Sequence, residues 1–175
     1  MKSSSKELVL SGLFLALGLL LPFITGQIPS IGNKLLPMHI PILLCGFICG
    51  KRYGLIVGFI TPLLRSLILT MPPLFIAVTM AFELAAYGFV AGLMYNLLPR
   101  KNVNIYLSLI VSMVIGRIVW GIASSIVFGS IGMEFNWELF VAGGFINAIP
   151  GIIIQIILIP ILVMAINRER MVENA

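Results

Sequence analysis

Three ionisable residues stand inside long apolar stretches of this chain: Arg65, Glu83 and Arg117. A charge in that setting costs roughly 2.5–3.5 kcal/mol on insertion scales. The chemistry open to these three is ion pairing, anion binding or proton carriage. Two Arg facing one Glu leave a surplus cation, and an unpaired buried charge is unfavourable. A bound anion or carboxylate would complete the set, with Glu83 orienting one Arg towards it. The competing reading is structural: Glu83 pairs with Arg65 or Arg117 and holds the bundle together. Helical spacing supplies neighbours. Thr79, Glu83 and Tyr87 fall at i, i+4 and i+8, Thr61 and Arg65 at i and i+4, Arg117 and Trp120 at i and i+3.

Other chemistries are excluded by what is missing. The sequence has no Asp and one His, His39. Paired-Asp phosphoryl transfer and multi-His metal sites have no residues to build them, and no metal or other cofactor is expected. No Gly-rich loop leads to a Lys-Ser or Lys-Thr pair, so ATP has no cradle here. Uphill work would draw on an ion gradient or on a partner. Cys45 and Cys49, at i and i+4, read as small packing residues.

The elements that position these groups follow from composition. Of 175 residues, 60% are hydrophobic and 10% charged, against roughly 45–50% and 25% in soluble domains. A globule of this size cannot hide that much apolar surface, so the chain is an integral membrane protein. Crossing the ~30 Å hydrocarbon core takes about 20 helical residues. The apolar runs are continuous rather than alternating, which predicts helices. Breaks at charges, Pro and polar clusters delimit six transmembrane helices in one domain over 1–175, at about 7–24, 36–50, 53–69, 74–97, 103–128 and 139–166. The second is short and carries Pro37 and Pro41, so it is bent or re-entrant. Pro150 and Pro160 would kink the sixth. The first span is long for a signal peptide, and no small-residue cleavage site clearly follows it.

Orientation follows the basic residues of the short loops. Lys2, Lys6, Lys51, Arg52, Arg100, Lys101, Arg168 and Arg170 would share one side, against Lys34 on the other. Both termini are therefore expected in the cytoplasm, with the protein in the cell membrane. The formal charge of +5 is then topology and attraction to anionic lipid, with no nucleic-acid partner.

Depth follows at ~1.5 Å per residue. Arg65, Glu83 and Arg117 reach the midplane or outer half of their spans. His39 and Asn147 fall in the same layer, so His39, Arg65, Glu83, Tyr87, Arg117, Trp120 and Asn147 are the candidate ligand contacts. His39 could equally be a hydrogen-bonded interfacial group, and Trp137 a membrane-interface anchor. Gln155, about 24 Å down a span that starts at Leu139, reads as a packing residue near the inner side. Gly12 and Ala16 form a small-xxx-small pair on the first span, suited to close helix packing or to docking another membrane protein.

Several stretches together resemble the substrate-binding S components of energy-coupling factor (ECF) vitamin transporters. They are Leu36-Pro37-Met38-His39-Ile40-Pro41, Gly50-Lys51-Arg52-Tyr53-Gly54, Thr61-Pro62-Leu63-Leu64-Arg65, Met71-Pro72-Pro73 and Ala81-Phe82-Glu83-Leu84. The resemblance covers nearly the whole chain. It implies capture of a vitamin or precursor from outside, then delivery through a transmembrane coupling subunit and two ATPases. It implies that Gly12 and Ala16 stand where the family docks on the coupling subunit through an Ala-xxx-Ala pair, with Gly in place of the first Ala. It also implies a lid over the site from the loop Thr25–Leu35, with Gln27, Asn33 and Lys34. The Arg surplus favours a carboxylate-bearing ligand, pantothenate first, then folate-like or lipoate-like acids. A pyrimidine or pyridine vitamin remains open through Glu83. The alternatives are a stand-alone proton-coupled carrier using Glu83, against which the lack of an inverted repeat counts; a structural subunit; and an intramembrane enzyme, for which His39 has no evident nucleophile.

Overall fold

The computed structural model describes residues 5–26, 32–99 and 101–173. Described residues outside turns are helical. Helix α1 is Ser5–Gly26, followed by a 3-10 turn, Gly32–Leu35. Next come α2 (His39–Cys49), α3 (Lys51–Leu69), α4 (Leu74–Leu97) and α5 (Asn102–Ser130). A short α6 (Trp137–Val141) runs into a π-helical turn (Ala142–Ile146), and α7 is Ile149–Glu173. Five of these, α1, α3, α4, α5 and α7, are long and apolar enough to cross a membrane.

The expected second and sixth spans differ from this. Helix α2 has 11 residues and begins at His39, not Leu36, because Leu36 takes a left-handed φ of 50° that ends any earlier helix. Gly50, at φ 87°, turns the chain directly from α2 into α3. The expected sixth span is two pieces. Pro150 has no N–H for the Ile146 carbonyl, and the chain leaves the α-helix over residues 142–148, just before it, although α7 itself runs on through Pro160. Two residues into α7, the same proline sits where a first turn tolerates it. The α6 end is fixed by Asn136, whose side chain accepts from the Leu139 amide at 2.9 Å.

Helix α4 is the hub, packing against α2, α3 and α5. Glycines make this possible. A Cβ on Gly88 of α4 would fall on the Gly54 backbone of α3, and one on Gly46 of α2 would fall on the Gly88 carbonyl. By contrast only 17% of the α1 spanning window is buried. That helix leaves Leu13 and Leu20 exposed, and it also exposes Gly12 and Ala16.

Candidate functional site

The hub helix carries the acid. Thr79, Glu83 and Tyr87 share the α4 face that points into the bundle, each at most 2% exposed. Arg117 comes from α5 and donates from Nη1 to Glu83 Oε1 at 2.7 Å. His39 opens α2, and its Nε2 stands 3.5 Å from the same carboxylate oxygen. The two ring nitrogens are distinct, Nε2 turned to the carboxylate and Nδ1 turned away from it, and the tautomer sets which of them donates. The imidazole also meets the Tyr87 ring edge-on at 5.2 Å. Gly116 lets that ring close up, since a Cβ there would lie 3.0 Å from Tyr87 Cδ2.

What the triad leaves open matters as much. Arg117 Nε and Nη2 and His39 Nδ1 are buried with no hydrogen-bond partner among the described residues. Nε and Nη2 form the side-on edge of the guanidinium, the fork that grips a carboxylate or a paired oxygen acceptor. Electrostatically the cluster is one guanidinium, one carboxylate and one imidazole, with a directed donor edge to spare.

Arg65 is not part of it. Its Nη1 donates to the Leu19 carbonyl of α1 at 2.6 Å, and its guanidinium lies 4.7 Å over the Phe23 ring. A cation that finds a backbone carbonyl and an aromatic face is satisfied there. The expected two-to-one surplus of Arg at Glu83 is therefore one-to-one. Asn147 is exposed at the break before α7 and is not brought to the cluster. Trp120, one turn beyond Arg117, is half-buried beside it. It packs with Phe135 and Phe140 and against the Gly143–Gly144 pair, where a Cβ on Gly143 would lie 2.9 Å from the indole. Ile118, Ile122, Phe135, Trp137 and Phe140 line an apolar groove outside that packing.

One residue was read differently from sequence. Gln155 is fully buried, and its Nε2 and Oε1 have no partner among the described residues. Because α7 starts at Ile149, Gln155 lies only about 9 Å into it, nearer the break before α7 than the C-terminal end of that helix. Pro150, a frequent first-turn residue, was the signal for that later start.

The family described as ECF transporter, substrate-specific component, has a sequence model that matches residues 6–163. The chain belongs to that family. No curated protein and no solved structure matches it significantly. As an S component it is a multi-pass cell-membrane protein, a substrate-binding transport subunit and not an enzyme, and it works with a transmembrane coupling subunit and ATPases on a small-molecule substrate. The S component exposes Gly12 and Ala16 on one side of α1, and a Cβ on Gly12 would have nothing within 4 Å. Of the expected lid residues, Lys34 is exposed on the 3-10 turn, and Asn33 lies in the same turn. Gln27 lies outside the described residues. The turn is seated on α7, where a Cβ at Gly151 would lie 2.8 Å from the Lys34 carbonyl oxygen.

Proposed function

We propose that this S component captures a vitamin or vitamin precursor from outside, with Arg117 as the anchor of a carboxylate-bearing, pantothenate-like ligand. The observation that carries this reading is the buried side-on edge of Arg117, free at Nε and Nη2 while Nη1 is held by Glu83. Held at one nitrogen, the guanidinium is pre-set in orientation, and less side-chain freedom is lost when the ligand arrives. Tyr87 and Trp120 border the same region and offer aromatic surface. Both termini lie in the cytoplasm on this reading, α2 completes a sixth crossing with its flanking turns, and the loop before α2 closes the outer mouth. Arg65 acts at one remove, bracing α1 at Leu19 and Phe23.

The test is native mass spectrometry of gently purified protein, scanned for a co-purifying small molecule. A stoichiometric carboxylate of vitamin size is expected in the wild type. It should be lost in Arg117→Ala and kept in Arg65→Ala. An empty wild type that also binds nothing from a vitamin panel would sink the reading, and gradient-driven uptake by the chain alone would replace it with the proton-coupled carrier.

A second outcome concerns the partner. Docking on the coupling subunit through Gly12 and Ala16 needs close helix approach. Ala16→Trp should leave ligand affinity within about twofold, since that face of α1 touches nothing in the site. Uptake by the assembled transporter should fall at least about tenfold. Unchanged uptake would place the docking face elsewhere.

A further inference from the structure

Gln155 sits in the layer of the Glu83 cluster, and two contacts fix its height. At the inner end, Asn167 of α7 donates to the Tyr95 hydroxyl of α4 at 2.6 Å. Gln155 is twelve residues up from Asn167 and Glu83 twelve up from Tyr95, so both rise about 18 Å from that bond. At the outer end, Gly151 of α7 abuts the Leu35 backbone. Gln155 follows Gly151 by four helical residues, and His39 opens α2 just after the same Leu35 turn. Helix α7 packs on α2 and α5, the helices of His39 and Arg117, and Gln155 is on its buried side with Ile159 and Val163.

Five buried polar atoms thus stand open at one level: Gln155 Oε1 and Nε2, His39 Nδ1, and Arg117 Nε and Nη2. A buried amide without partners bears the full desolvation cost of both its atoms. Packing alone would be served better there by Leu or Met. A carboxamide offers one acceptor and one donor side by side. Its complement is a carbonyl with a neighbouring N–H or O–H.

We infer that Gln155 is a specificity-determining residue of the ligand site. It reads a carbonyl with an adjacent N–H or O–H, so the ligand carries that pair in addition to the carboxylate held by Arg117. This rests on the reading of Arg117 as carboxylate anchor. It goes further by ranking acids that carry such a pair above acids whose remainder is purely apolar.

The experiment compares pantothenate, which has a carboxylate, an amide and hydroxyls, with lipoate, which has a carboxylate and an apolar tail. Binding to the full-length protein is measured for wild type and Gln155→Met, together with the melting temperature of each without ligand. Met keeps the length and removes both polar atoms. The expected result is a pantothenate Kd raised about 10- to 100-fold, lipoate binding changed by less than about threefold, and a melting temperature equal to or above wild type. Equal losses for both probes, or no loss for either, overturn the inference. So does a lower melting temperature in the variant, which would mean that Gln155 holds the bundle. A wild type that binds lipoate and not pantothenate overturns it while leaving the carboxylate anchor standing. A wild type that binds neither removes the anchor and this inference with it.

Discussion

Glu83→Ala is expected to cost the S component about 3–5 kcal/mol of stability and all measurable ligand binding. Glu83 and Arg117 are 2% and 5% exposed, with 2.7 Å between Oε1 and Nη1. Removing the carboxylate strands a guanidinium inside an apolar bundle. Thr79, on the same α4 face, already donates to the Ile76 carbonyl and carries no charge to replace it. His39 would also lose the oxygen opposite its Nε2. A buried pair replaced as a whole behaves differently, since apolar residues of similar volume in both places are often neutral or better. The Glu83→Ala, Arg117→Met double variant should therefore regain the part of the loss that comes from the stranded guanidinium, while the cavity left at position 83 keeps its own cost. It should not regain binding, because the anchor is gone. Thermal unfolding in detergent across wild type, both single variants and the double closes the cycle. Additive losses would mean that the pair is uncoupled, and the triad as described would be wrong.

The cluster was legible in sequence because lipid makes the signal loud. In spans this apolar, Glu83 and Arg117 stand out by type alone, and counting residues from each span's end places them at one depth. Tyr87 follows from helical spacing. Sequence does not give rotation about a helix axis, and that is where Arg65 was misjudged. It has the same depth as the others and points to α1, towards the Leu19 carbonyl and the Phe23 ring. Asn147 and Gln155 were misplaced together by one assumption, that a continuous apolar run is a continuous helix. The chain is apolar on both sides of the break before α7, so hydropathy cannot see it. The Gly143–Gly144 pair and Pro150 mark it, for reasons of backbone geometry rather than polarity. The small residues of α2, α3 and α4 also looked unremarkable beside the Gly12–Ala16 pair. Helix contacts make them the places where α2, α3 and α4 meet backbone to backbone.

That packing makes Gly88→Ala the second large effect. A methyl at Gly88 would overlap the Gly54 carbonyl and lie 2.8 Å from the Gly54 Cα. The converse methyl, on Gly54, would lie 2.7 Å from the Gly88 carbonyl carbon and 2.8 Å from the Gly46 Cα. Every obstacle is main chain, which cannot swing aside as a side chain can, so α3 and α4 must part. Overpacking costs typically 1–3 kcal/mol where side chains yield. Here the loss should reach about 3 kcal/mol or more, because three helices meet at the point. The displacement would travel up α4. Glu83 lies five residues away on the same rigid helix, and a shift of a few tenths of an ångström there lengthens a 2.7 Å bond to Arg117. Ligand affinity should fall with stability, although no residue that faces ligand has changed. Gly12→Ala is the control. Its methyl meets nothing within 4 Å, and Ala improves helix propensity by up to about 1 kcal/mol, so its melting temperature should hold or rise with binding intact. If Gly88→Ala proves as harmless as Gly12→Ala, the three helices are not packed backbone to backbone, and the rigid frame that holds Glu83 against Arg117 is not the one described.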